Sequence, residues 1–294
     1  MEPSGIVDLT PRARLIPGPA NVGLLELSDG PWLVDSGNDK ESGRKLLSLL
    51  ESRGLKLRGI LNTHSNADHI GGNAYLQGKT GCEIWAPRIE SALVEAPGLE
   101  ALVLWGGSPP RELRNKFFEA KPSKVTRRIE ADEKAGGLSF PGLPGHFLDM
   151  VGVLSEDGAF FLGDAAFGPE VLEKHKVPFV LDHRLFRASL AKILSIPAKV
   201  YVPAHGAPVE DPGALVSANL GALDRIQGIV LERLNTPAGF EDVLEALCDA
   251  VGLVLDPGRY ALVGCTLRSL LNYLREEGLA DFRFEGSRMK WMSL

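Results

Sequence analysis

Cysteine is scarce in this chain of 294 residues: Cys82, Cys248 and Cys265 are odd in number and far apart. That pattern excludes a disulfide framework and a zinc ribbon, which need closely recurring pairs. Three small buried thiols in a reducing compartment are the expectation. No apolar run reaches the ~20 residues that span a bilayer. The opening Met1-Glu2-Pro3-Ser4-Gly5 lacks the basic start and apolar core of a secretory leader. A cytoplasmic protein with no membrane partner is therefore expected. Charge of one sign is not in excess either. With 32 basic and 38 acidic residues the net charge is −6, which gives no general attraction to polyanions. Glycine and proline are dispersed, so they read as turns rather than as a disordered tract.

What the chain does have is alternation and punctuation. Apolar runs at 22–27 and 32–35 flank Ser28-Asp29-Gly30, a hairpin signal. Residues 40–53 have helix-forming composition with Leu46, Leu47, Leu49 and Leu50 on one side, and Gly54 supplies a stop. A strand at 57–63, a short helix at 70–77 and a strand at 82–86 follow, an order that suits an α/β enzyme. Residues 91–125 read as an irregular insertion with helical pieces. The segments 151–155 and 159–162 flank Glu156-Asp157-Gly158 in the clearest hairpin pattern, and a helix at 185–194 feeds a strand at 199–202. Past about residue 212 the pattern turns helical, at 215–234, 240–250 and from about 260 through 270, before a hairpin at 282–291. Three helices and a hairpin suggest a small winged-helix-like appendage. Its Arg268, Arg283, Arg288 and Lys290 are read as surface charge, with nucleic acid the less favoured partner.

The densest chemical signal is Thr63-His64-Ser65-Asn66-Ala67-Asp68-His69. A loop can turn alternate side chains toward one point, and the carboxylate and imidazole of Asp68 and His69 suit zinc, iron or manganese. Three later residues occupy comparable places. His146 follows the loop Pro141-Gly142-Leu143-Pro144-Gly145, Asp164 follows the strand Phe160-Phe161-Leu162-Gly163, and His205 follows Tyr201-Val202-Pro203-Ala204. Singly, each has a structural explanation. Their recurrence at strand ends makes a shared metal centre the stronger reading.

Over residues 20–210 the chain resembles the metallo-β-lactamase superfamily. The first motif of that family is Thr-His-x-His-x-Asp-His, and the segment from Thr63 to His69 follows it in order. His146, Asp164 and His205 match the later histidine, the bridging aspartate and the final histidine. Asp35, in Val34-Asp35-Ser36-Gly37, matches the early structural aspartate. The resemblance implies a four-layer αβ/βα sandwich occupying residues 1–212, with 213–294 as the C-terminal appendage. It implies a first metal position at His64 and His146, a second at Asp68, His69 and His205, and Asp164 between them. Asn66 departs from the pattern: it offers a neutral amide oxygen where the family has a stronger imidazole donor. One securely held ion, with the first position weak, is therefore the expectation. Zinc is favoured, with iron or manganese as alternatives.

The reaction expected is hydrolysis of a small acyl substrate such as a thioester or lactone, with Asp68 or Asp164 orienting the water and relaying a proton. Two other classes stay open. One is a phosphodiesterase or nuclease, which needs basic residues converging on the groove. The other is a non-catalytic nucleotide-binding or regulatory protein, in which Asn66 marks lost catalysis. Ser65 lacks the strained strand-to-helix turn of a serine nucleophile.

Overall fold

The computed structural model describes residues 5–294. Strands β1 (Val7–Asp8), β2 (Ala13–Ile16), β3 (Val22–Leu27), β4 (Gly30–Val34), β5 (Gly59–Leu61), β6 (Glu83–Pro87) and β7 (Arg127–Ile129) lie in that order in one sheet. Its first half is antiparallel, while β4 to β7 run parallel. The second sheet has the order β12-β11-β10-β9-β8, from β8 (Glu133–Ala135), β9 (Leu138–Phe140), β10 (Val153–Ser155), β11 (Ala159–Gly163) and β12 (Val200–Pro203).

The alternating direction of side chains along a strand becomes layering in space. In the first sheet, Leu25, Trp32, Val34 and Leu61 meet Phe140, Val153, Phe161 and Val202 of the second sheet in the core between them. Their chain neighbours Leu24, Leu33 and Ile60 point the other way. They pack with Leu46 and Leu50 of α1 (Lys40–Glu51) and Leu76 of α3 (Asn73–Thr80). On the second sheet, Phe160 and Leu162 face outward onto Phe186, Leu190 and Ile193 of α7 (His183–Ser195). Helix, sheet, sheet, helix is the four-layer sandwich expected.

The same outer cluster continues without a break into α8 (Gly213–Arg233), α9 (Phe240–Val251) and α10 (Pro257–Glu276), through Leu223, Leu247, Leu267 and Leu274. The hairpin of β13 (Ala280–Glu285) and β14 (Arg288–Ser293) closes the chain. Cys82 and Cys248 are buried, Cys265 is half-buried, and all three are free thiols. No helix among the described residues is long and apolar enough to cross a membrane.

Three local expectations need correction. Helix α2 (Ala67–Ile70) already contains Asp68 and His69, so these two stand on a helical turn and not on a loop. The helix expected over 70–77 is divided, with α2 ending at Ile70 and α3 starting at Asn73. Only glycine fits at the junction: a Cβ on Gly72 would lie 2.4 Å from the carbonyl oxygen of Ser36 and 3.1 Å from Cα of Gly43 in α1. A helix α6 (Pro169–His175) also follows Asp164, opened by a proline at its first turn. The insertion at 91–125 does contain helical pieces, α4 (Glu90–Glu95) and α5 (Gly98–Trp105), which pack beside β6 and α10.

Because backbone must move to admit a methyl group there, Gly72→Ala is expected to destabilise the chain by about 1–3 kcal/mol. Thermal unfolding checks this; an unchanged melting temperature would mean that α1 and α3 are not held this closely.

Candidate metal centre

β4 ends one residue before Asp35, whose φ of 62° is a left-handed conformation seldom found outside glycine and asparagine-like residues. The turn directs its buried carboxylate at the segment leaving β5. Oδ1 accepts from the Thr63 backbone N–H at 2.9 Å, and Oδ2 accepts from the Thr63 hydroxyl at 2.8 Å. Oδ2 also accepts from Nδ1 of His69 at 2.8 Å. The rim of the second sheet fits closely against this point: a Cβ on Gly163 would come within 2.8 Å of the Thr63 hydroxyl oxygen. Asp164, next in the chain, is thereby carried to the histidines.

Four imidazoles share one arrangement. The Thr63 hydroxyl, whose proton is given to Asp35, accepts from Nδ1 of His64 at 3.0 Å. Nδ1 of His146 donates to the Phe179 carbonyl at 3.0 Å, and Nδ1 of His205 to the Pro19 carbonyl at 2.8 Å. With the carboxylate of Asp35 behind His69, all four rings are anchored through Nδ1, which leaves Nε2 for the centre. Nε2 of His146 is 3.4 Å from Asp164 Oδ2, and Nε2 of His69 is 3.5 Å from Asp164 Oδ1. Nε2 of His205 is 3.2 Å from Asp68 Oδ2 and 3.6 Å from Asp164 Oδ2.

These residues form two donor sets. His64, His146 and Asp164 place one ligating atom each within 4.8 Å of one another, and so do Asp68, His69 and His205. Nε2 of His64, Nε2 of His69 and Oδ1 of Asp164 are buried without a hydrogen-bond partner in the protein. Orphaned buried atoms are costly unless something else completes them, and a divalent cation fits nitrogen and carboxylate donors placed in this way. The charges agree. Burial opposes protonation of His205, but Asp164 and Asp68 prevail and raise it to about 9. Burial likewise opposes protonation of His69, which Asp164, Asp68 and Asp35 hold well above its ordinary range. Protons on these rings stand where a cation would bring positive charge. His64 and His146 are pushed down, chiefly by burial, and keep their lone pairs free.

Every residue singled out from the sequence lies here, and the helical turn of α2 sorts two of them. Adjacent positions on a helix diverge by about 100°. His69 is consequently buried, whereas the Asp68 side chain is 40% exposed and faces solvent beside His205. Asn66 occupies the cap position of α2 but makes no capping bond. Its Oδ1 lies 3.0 Å from Nε2 of His146, and its Nδ2 donates to Glu100 Oε1 at 2.9 Å.

Sequence reasoning missed the two acids behind this loop, Glu100 of α5 and Glu90 of α4. Glu90 accepts from the backbone N–H and hydroxyl of Ser65. Both are buried. Burial and the Asp149 carboxylate push Glu90 up to about 8. Burial and the nearby Asp68 push Glu100 well above the ordinary carboxylate range. The available signal was faint: Glu100 is a lone acid inside the otherwise apolar 99–105 segment.

A surface cleft of about 280 Å³, lined by residues including Arg12, Glu26, Glu156 and Asp157, lies at the other end of β11. It is remote from the centre and has no part in it.

The metallo-β-lactamase superfamily profile matches residues 15–205, and the chain belongs to that superfamily. Among its relatives, it is 31% identical over 125 residues to a hydroxyacylglutathione hydrolase from Thiobacillus denitrificans, over 42% of this chain and 38% of that protein. The chain thus matches about two fifths of that hydrolase's length. It is 22% identical over 278 residues to an atrochrysone carboxyl ACP thioesterase from Aspergillus fumigatus, over 89% of this chain and 77% of that one. A β-lactamase domain protein from Burkholderia ambifaria shares the fold with a TM-score of 0.77 at 17% identity, over 100% of this chain and 95% of that chain.

Two outcomes are expected. Asp35→Asn places an amide N–H₂ where Thr63 and His69 need an acceptor, and should weaken metal binding by about 10–100-fold with the fold retained. Equilibrium titration with zinc checks this, and wild-type affinity counts against the arrangement. Glu90 takes up a proton on folding, so the stability it contributes is full below its ordinary 4.5 and is lost as pH rises through about 8. Glu90→Gln stays neutral, so its melting temperature should gain a few degrees on wild type between about pH 5 and about pH 8.5. A difference that does not change with pH contradicts this account.

Proposed function

We propose that this chain is a metal-dependent hydrolase of small acyl substrates, with thioesters the favoured class. The observation that carries the reading is the convergence of two donor sets on Asp164, with four imidazoles fixed from behind and turned inward. A divalent ion bound there polarises a carbonyl and lowers the pKa of water, bringing a nucleophile within reach of neutral pH. The second set, Asp68, His69 and His205 with Asp164, would hold the more secure ion. His64, His146 and Asp164, with Asn66 in place of the usual histidine, make the first. Zinc suits these donors best, and iron or manganese are accommodated.

Asp68 is the exposed acid at the mouth of the site, and we assign it to orienting the attacking water and taking up its proton. Asp164, buried between the two sets, fixes the position from which attack occurs. Water adds to the acyl carbon, the bond to sulfur breaks, and the thiol leaves as its proton is returned. One feature supports an acyl substrate: a hydroxyacylglutathione hydrolase and an ACP thioesterase are among the relatives. Three of the four basic residues singled out in the C-terminal segment have partners there: Arg283 pairs with Glu285, Lys290 pairs with Asp242, and Arg268 lies over the Phe240 ring. A polyanionic substrate gains nothing from them. On the same reading, residues 1–212 are the metal-binding unit and 213–294 an appendage tied to it by the continuous outer cluster.

The test is turnover of acyl thioesters, lactones and phosphodiesters by protein purified without chelator and then with it. Thioester hydrolysis should require metal, and Asp68→Asn and His205→Ala should each lower kcat/KM at least about 100-fold while the protein stays folded. Turnover indifferent to metal and to both substitutions would sink the proposal. Nucleotide binding without turnover would favour a regulatory protein instead.

A further inference from the structure

We infer that Glu100 is a positioning residue that turns Asn66 into a metal ligand, so that the first metal position is complete despite its missing histidine. The inference rests on the metal-centre reading above. Asparagine at a helix cap ordinarily bends its oxygen back onto the second or third backbone N–H of that helix. Asn66 stands at the cap of α2 and makes no such bond. The residue is 8% exposed, and its side chain reaches inward to two partners among the described residues: Glu100 Oε1 at 2.9 Å through Nδ2, and His146 Nε2 at 3.0 Å through Oδ1.

The geometry decides which end of the amide faces the centre. Oε1 of Glu100 accepts from Nδ2, which turns Nδ2 to α5 and Oδ1 to His146. The His146 ring has already committed its Nδ1 proton to the Phe179 carbonyl, leaving Nε2 a lone pair. Two lone pairs therefore confront each other at 3.0 Å, an unfavourable contact unless a positive charge lies beside both. It is also about the separation of two neighbouring ligands that each stand ~2.1 Å from one ion. Unpartnered Nε2 of His64 and Oδ1 of Asp164 complete the surroundings. Without Glu100 the amide is free to rotate, to return to its capping bond, or to present N–H₂, which cannot ligate. Glu100 itself is held by the burial of α5, whose Ala101 and Leu104 pack on Leu113 and on Ala261 of α10. The insertion that the sequence left irregular thus supplies the support for the substituted ligand.

Cobalt(II) titration of the metal-free full chain tests this, read by metal content after gel filtration and by the visible spectrum of the bound ion. Wild type should bind two ions. Glu100→Ala should weaken one of them by about 10–100-fold, with the other unchanged. Glu100→Gln, whose amide oxygen still accepts from Nδ2, should keep both, because the hydrogen bond and not the acid is what positions the amide. In an Asn66→His background, where the ring needs no amide orientation, Glu100→Ala should cost neither ion. Two tightly held ions in Glu100→Ala, a gain of affinity there, or a loss in Glu100→Gln equal to that in Glu100→Ala would each overturn the inference while leaving the metal centre intact. A wild type that binds one ion, unaffected by Glu100→Ala, overturns it as well. A wild type that binds none overturns the metal-centre reading itself.

Discussion

The centre depends on one buried carboxylate. Asp35 leaves β4 in a left-handed turn and spends both of its oxygens on the loop that follows β5. Through the Thr63 hydroxyl it sets the tautomer of His64, and directly it sets that of His69. One acid thus orients a donor in each metal set. The buried Asp35 carboxylate is tolerated because its bonds to the Thr63 backbone, the Thr63 hydroxyl and an imidazole replace lost water. The close fit of Gly163 against Thr63 then brings the second sheet, and Asp164 with it, to the same point.

Around that anchor the fold concentrates negative charge and leaves room for positive. Asp68 and Asp164 draw protons onto His69 and His205, whereas burial first, and the neighbouring imidazoles after it, hold His64 and His146 below their ordinary range. The two sets therefore differ in character. One is acidic and open to solvent through Asp68 and His205. The other is enclosed, joins two neutral imidazoles to Asp164, and is the one where the family pattern is broken. Its broken position is backed by a second layer of buried acids on α4 and α5, which touch the motif through Ser65 and Asn66.

Much of this was legible beforehand. Apolar runs in β3, β4 and β11 marked these strands, and because a strand's side chains point alternately to either side, a continuous run buries both faces. The turn residues at Ser28-Asp29-Gly30 and Glu156-Asp157-Gly158 placed the hairpins, and the helices of residues 213–276 differ from expectation by only a few residues at their ends, except that α10 runs about six residues further. The metal donors were recognisable because imidazole and carboxylate crowd into seven residues and recur after strands. The short α2 was not, since four helical residues carry no periodicity, and the need for glycine at 71 and 72 comes from backbone of residues 36–43 packed against them.

The chain's own order of residues determined the layers, the donor types and the family, because these follow from local period and chemical identity. Only the tertiary structure decided which acids lie behind the motif, which way the Asn66 amide faces, and how Asp68 and His69 divide between solvent and core. Those outcomes depend on contacts between residues tens of positions apart, such as Asn66 with Glu100 and His146. A glutamate in an apolar helix looks like a surface residue until the helix is laid against the loop it supports.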